Sequence, residues 1–204
     1  EILKKIGNVS WSNSVFAIHN NKENDINSNY YKRLAYDEIL ANLLVLSQVR
    51  KRVRKFKKKS KYFDNNLSKK IINNFNFKLT QNQIEIIDEI NKDLKSDYKM
   101  FRLLQGDVGS GKTIISFVAA ANMIRSNWQT ALMAPTEILA KQHYDLAKKI
   151  FNSTNVNIEF LTGKLNHNKK KLIQKNLLNG KINFLIGTHA LFQKNVLFKN
   201  LGLV

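Results

Sequence analysis

The chain contains no cysteine, which excludes a disulfide-stapled scaffold, a thiolate metal site and a cysteine nucleophile, and fits a reducing compartment. Long hydrophobic runs are missing too. The most apolar stretch, Ile114 to Ala121, falls far short of the roughly 20 residues that cross a bilayer. The opening residues do not read as a charged, then apolar, export leader. The expectation is a cytoplasmic protein with no membrane partner. Acidic residues are scarce: 15 Asp+Glu face 34 Lys+Arg, a formal charge of +19 on 204 residues. Such an excess attracts polyanions, nucleic acid first and anionic membrane second. The abundance of Asn, Lys and Ile offers a second source for the charge, because an A+T-rich coding sequence adds Lys wherever a surface tolerates it. Composition does not separate the two.

What is present reads as globular: 43% hydrophobic and 10% aromatic residues in a length that can bury one sizeable core. The first residue is Glu, and Leu201-Gly202-Leu203-Val204 reads as a strand stopped midway. The expectation is therefore a piece of a longer protein.

Three stretches differ in pattern. Residues 1–29 are polar and Asn-rich and read as a connector with little core of its own. Residues 30–78 read as a helical linker. Tyr31, Leu34, Ala35, Ile39, Leu43, Leu44 and Leu46 recur near helical spacing after a cap at Ser28 or Asn29. A dense basic run follows from Arg50 to Lys61, then a short apolar helix from Leu67 to Phe75. The basic run is either a solvated helix end or a phosphate-contacting surface. From residue 79 to 204, strands alternate with helices. Strands are expected at Phe101–Leu104, Thr130–Ala134, Asn157–Leu161, Ile182–Ile186 and Leu201–Val204. Helices are expected at Gln81–Lys95, Lys112–Arg125, Glu137–Phe151 and His167–Asn179, the last closed by Gly180. This alternation predicts an α/β fold: a parallel sheet with helices on both faces, preceded by a helical connector.

Three of the eight glycines fall in Gly106-Asp107-Val108-Gly109-Ser110-Gly111-Lys112-Thr113, which satisfies G-x-x-x-x-G-K-[ST] between an apolar strand and a helix. Glycines let the backbone curl until successive N–H groups converge on an anion at the positive end of the following helix. Lys112 would reach the β and γ phosphates as a point charge, and the Thr113 hydroxyl would ligate Mg²⁺ bridging them. These are the candidate catalytic residues, and ATP with Mg is the expected cofactor. A strand-to-helix turn that binds nothing would need neither the Lys nor the Thr. Upstream, Thr80 and Gln83 suit a capping box; the Gln83 amide equally suits an adenine edge. The two roles are compatible and both stay open. No His spacing, at His143 or His189, suggests a metal site.

Four segments occur together: LTQNQ at 79–83, MFRLLQGDVGSGKT at 100–113, ALMAPTEILAKQH at 131–143 and IGTHALFQ at 186–193. From about Tyr30 to Val204 the chain resembles the first motor lobe of superfamily 2 helicases, and within them the RecG family of branched-DNA helicases. The resemblance implies a P-loop NTPase (RecA-like) lobe over 79–204, preceded by a segment (1–29) leaving a DNA-recognition domain. It implies that Gln83 reads adenine and that Gly106 to Thr113 bind nucleotide. It implies further that Pro135, Thr136 and Glu137, then Thr162 and Gly163, then Gly187, Thr188 and His189 face the DNA strand. Each of these segments sits at the carboxyl end of an expected strand, where open α/β sheets bind ligands, and offers hydroxyls and N–H groups suited to phosphate oxygens. Taken singly, each is also ordinary cap and turn chemistry. In that family an acidic Asp-Glu motif and an arginine-bearing second lobe complete the site. Neither is in this sequence, so the lobe is expected to bind ATP and hydrolyse it poorly. The implied partners are branched or duplex DNA and the rest of a parent helicase engaged in recombination and repair. The motor of a transcription-repair coupling factor shares the GDVG and GTH-type segments and is the nearest alternative. A self-contained GTPase or kinase is disfavoured by the lack of an N-K-x-D guanine reader and of an arginine-rich lid. A non-catalytic basic DNA-binding fragment would bind DNA without regard to nucleotide.

Overall fold

A computed structural model describes residues 8–20, 26–58, 61–75 and 78–204; the side chains of residues 53–55 also lie outside the description. Part of the Asn-rich stretch, and Lys59 of the basic run, are therefore not described. The chain divides into two compact units, Glu1–Lys57 and Lys58–Val204, so the second half of the expected 30–78 linker packs with the α/β unit.

The first unit contains α1 (Trp11–His19) and α2 (Asn29–Lys55). Helix α1 lies within the residues expected to form a polar connector with little core of its own, for which no helix was expected. Its start is fixed by Ser10, whose hydroxyl accepts from the Asn13 N–H, the usual relief for an unsatisfied first turn. Arg33 of α2 pairs with Asp37 at 2.9 Å and donates to the Val9 carbonyl.

The second unit opens with α3 (Asn66–Asn73) and α4 (Gln81–Lys95), followed by α5 (Lys112–Arg125), β1 (Gln129–Met133), α6 (Glu137–Ile150), β2 (Ile158–Leu161), α7 (His167–Leu178), β3 (Phe184–Gly187), a 3₁₀ turn (His189–Phe192) and β4 (Leu201–Leu203). Helices α4 and α5 span the residues that the sequence pattern predicts. The strands form one parallel sheet in the order β2-β3-β1-β4, with Ala131 opposite Leu185 and Phe160 opposite Ile186. Successive β3 side chains enter different cores: Phe184 and Ile186 join one, Leu185 the other. That alternation means both faces of the sheet are covered, as a parallel sheet requires.

On the larger core's side, Phe117 of α5, Phe151 at the end of α6 and Phe184 of β3 form a triangle with ring centroids 5.9–6.0 Å apart, all edge-on. Each ring is at most 2% exposed, and burying a side chain of this size stabilises by roughly 1.5–3 kcal/mol. Gln129, also buried, ties three ends together: its amide donates to the Leu177 and Ile182 carbonyls and accepts from the Asn200 N–H.

The strand expected at Phe101–Leu104 does not form a ladder. Its alternation shows only in part: Phe101 and Leu103 are exposed, Met100 and Leu104 are half-buried and turn inward, and Arg102 between them is exposed. The inward residues line an apolar cavity of about 180 Å³ shared with Leu203 and Val204. The segment pairs with none of the four strands of the sheet. Arg102 instead reaches back to α4, bonding Asp93 and Glu89.

The basic run has a structural component that neither sequence reading contained. Lys58 donates to the Asp93 and Leu94 carbonyls, capping the C-terminus of α4. Lys61 is buried, donates to the Gly202 carbonyl of β4 at 2.7 Å and lies 4.8 Å from the centroid of the Trp128 ring. Burial, then the nearby Lys58 charge, pushes the Lys61 ammonium down to about 8.

Candidate functional site

The loop Gly106–Gly111 leads directly into α5, whose N-cap Gly111 has φ +87°, with Gly109 at +83°. Both are left-handed conformations that an L side chain adopts only under strain. The loop is exposed and Lys112 and Thr113 are half-buried at the first turn of the helix. The Lys112 ammonium folds over the loop, donating to the Gly106 carbonyl at 2.6 Å, the Asp107 carbonyl at 2.5 Å and the Ser110 hydroxyl at 3.3 Å. A positive helix end, a glycine-curled backbone and a cation held over it by weak neutral acceptors match the requirements of a polyphosphate site.

Gln83 is brought to this loop. Thr80 and Gln83 form the capping box, with Gln83 N–H on the Thr80 hydroxyl and Thr80 N–H on the Gln83 carbonyl oxygen. The amide's remaining end donates to the Ser110 carbonyl at 2.9 Å. The cap and the P-loop thus share one side chain, a contact that sequence spacing did not suggest.

At the same carboxyl edge of the sheet, a cleft of about 230 Å³ is lined by Pro135, Glu137, Gly163, Thr188, His189 and Gln193, with Ala190 at its floor. Residues from all three strand-exit segments therefore meet in one place. Thr136 caps α6 by accepting from the Leu139 N–H. Glu137 accepts from Lys164 at 2.9 Å, and this bond, more than the further one from the Thr162 hydroxyl, holds its carboxyl below the usual range.

Thr162 and Gly187 do not line the cleft, whereas Thr188 does. Thr162 and Thr188 are buried, and Thr188 N–H donates to the Leu161 carbonyl. Gly187 sits where β3 presses on β2; a Cβ there would lie 2.0 Å from the Leu161 carbonyl oxygen. Sequence reasoning missed Lys164 and Lys170, the latter donating to the Gly163 carbonyl at 2.6 Å. Their signal was position: Lys164 follows Gly163 directly, and Lys170 lies in the first turn of a helix capped by Asn166. His143 is half-buried, and burial lowers its pKa. Among the described residues no group of three or more His, Cys, Asp or Glu could hold a metal ion.

The DEAD/DEAH box helicase model matches residues 79–204. The chain belongs to the DEAD/DEAH box helicase family. Within this helicase family it is similar to the ATP-dependent DNA helicase RecG of Aquifex aeolicus, 42% identical over 193 residues that cover 92% of this chain and 24% of the relative. The RecG of Staphylococcus epidermidis is 46% identical over 142 residues, 70% of this chain and 21% of that protein. The structure of RecG bound to a three-way DNA junction superposes with a TM-score of 0.75 at 40% identity, over 85% of this chain and 24% of that one. The chain thus spans about a quarter of the length of these relatives. No described helix is long and apolar enough to cross a membrane.

Proposed function

We propose that the chain is the ATP-binding first motor lobe of a RecG-like DNA helicase, residues 79–204 forming the RecA-like lobe behind a connector (1–29) and a helical linker (30–78). The parent would act in the cytoplasm on branched or duplex DNA, driving branch migration or fork reversal together with a second lobe and a DNA-recognition domain. One observation carries this reading: a phosphate-binding loop and a cleft built from three strand-exit segments share one edge of one parallel sheet.

In this reading the loop N–H groups and Lys112 would hold the phosphates, Lys112 giving up its carbonyl partners for phosphate oxygens, and the Thr113 hydroxyl would hold Mg²⁺. Bound MgATP supplies the phosphoanhydride whose cleavage drives movement. Gln83 can read adenine by sharing the amide that now serves Thr80 and Ser110. The exposed Pro135, Thr136, Gly163 and His189 meet the DNA strand, while Thr162, Gly187 and Thr188 set their positions. In this reading Lys112 and Thr113 supply grip on the phosphates but no group that orients the attacking water, so this chain would bind ATP and hydrolyse it poorly alone.

The test is Lys112→Ala. Calorimetry with MgATP should show nucleotide binding lost and the circular dichroism of the chain unchanged; equal affinity in both proteins would remove the site. Rapid phosphate release by the unmodified chain alone would instead favour a self-contained NTPase.

A further inference from the structure

A second wide cleft of the α/β unit lies at the other end of the strands. It has a volume of about 670 Å³ and is bounded by α3, by the turn from α5 into β1, and by the turn into β2. Its cations are Lys69, Lys70 and Arg125, and its amides include Asn66, Asn127 and Asn155, all exposed.

The charges are distributed unevenly in their availability. Arg125 is engaged with Asp64 through two bonds of 3.0–3.1 Å, and Asn66 also bonds Asp64. Lys69 and Lys70 have no ion pair and no side-chain hydrogen bond among the described residues. No carboxylate lines the cleft itself. A cation at the last turn of α3 suits the helix dipole, which accounts for Lys70 but not for two adjacent free ammonium groups facing an open groove with amide donors on the opposite wall.

The shape selects the kind of anion. A single small phosphate is held by convergent, desolvated donors, whereas these cations are spread along a wide, wet groove. That arrangement suits a repeating polyanion, whose duplex form carries one charge per roughly 1.7 Å of axis.

We infer that this cleft is a second nucleic-acid contact, a sequence-independent seat for a DNA backbone on the edge of the sheet opposite the motif cleft, with Lys69 and Lys70 as its phosphate contacts. The inference rests on the nucleic-acid part of the proposed function and adds a surface to it. A lobe with phosphate contacts at both edges can hold a second arm of a branched substrate while the first occupies the motif cleft.

The experiment measures binding of the full 204-residue chain to a fluorescent duplex across a salt series. Lys69→Ala/Lys70→Ala should lower the slope of log K against log salt by about 2, at about 0.9 per phosphate contact, with melting temperature retained. Lys32→Ala/Lys92→Ala, which removes equal charge from other exposed positions, should leave the slope nearly unchanged. An unchanged slope in the first variant, or an equal fall in both, overturns the cleft but leaves the motif-cleft reading intact. No salt-dependent DNA binding by the unmodified chain overturns both. Loss of binding to phosphatidylserine vesicles with DNA binding retained would assign the cleft to a membrane surface and overturn it as well. Should the alanine pair melt early, Lys69→Gln/Lys70→Gln repeats the measurement with longer side chains retained.

Discussion

Replacing Gly111 by Ala separates two costs that the P-loop imposes. At φ +87° an alanine suffers left-handed strain, and its Cβ would fall 2.3 Å from the Gln83 amide nitrogen. Gly109, at φ +83°, has nothing within 4 Å of the same added atom. Gly109→Ala should therefore cost only the backbone strain, about 1–2 kcal/mol. Gly111→Ala adds displacement of Gln83 from the Ser110 carbonyl, a neutral hydrogen bond worth about 0.5–1.5 kcal/mol, for a sum of about 1.5–3.5 kcal/mol. Urea denaturation of the four proteins of the cycle with Gln83→Ala measures the difference, since the coupling of neighbours appears as non-additivity of about 1 kcal/mol. In the Gln83→Ala background, Gly111→Ala should cost no more than Gly109→Ala. Equal costs for the two glycines in the native background, or an excess at Gly111 that survives without Gln83, would refute the link between the α4 cap and the loop.

The buried Lys61 makes stability depend on alkaline pH. Unfolded, it keeps its proton to about pH 10.5; folded, it releases it near 8. Between those values the unfolded state binds more protons, so stability rises with pH. Denaturation midpoints from pH 7.5 to 10.5 should climb in the native chain relative to Lys61→Met; parallel curves would refute the depressed value. Gly187→Ala should cost about 2–4 kcal/mol by overpacking, because its Cβ meets the Leu161 carbonyl, whereas Gly163→Ala, with open space around it, should be near neutral in the same melts. Lys112→Ala and the Lys69/Lys70 pair complete the set, read by calorimetry and by salt slope.

Much of this was legible because local chemistry and periodicity agree. Helices α4 and α5 start at Thr80 and at the P-loop, signals that are strictly local, and their limits are as expected. The P-loop residues carry their own conformational requirement in the glycine pattern. The Phe101–Leu104 segment misled because a strand's alternation specifies faces, not a partner; whether the ladder closes depends on a neighbouring edge that no local pattern encodes. Helix α1 was missed because its nine residues mix polar and aromatic types without a clear stripe. The basic run was only partly legible for another reason. Charge density says nothing about which lysines turn inward, and Lys61 does so only because Gly202, 141 residues later, offers a carbonyl. Likewise the pairing of Glu137 with Lys164 requires two strand exits to be adjacent, which follows from the sheet order and not from either segment.

The aromatic triangle joins elements that each end at a different working part. Helix α5 leaves the P-loop, α6 leaves the Pro135–Glu137 segment, and β3 delivers Thr188 and His189. Phe117, Phe151 and Phe184 meet edge-on within α5, at the far end of α6 and at the start of β3. A close-packed interior transmits displacement instead of absorbing it. Under the proposed function the three rings would serve as a common fulcrum: a displacement of the loop carried along α5 would reach Thr188 and His189 through β3, coupling the two parts of the candidate site through one packed core.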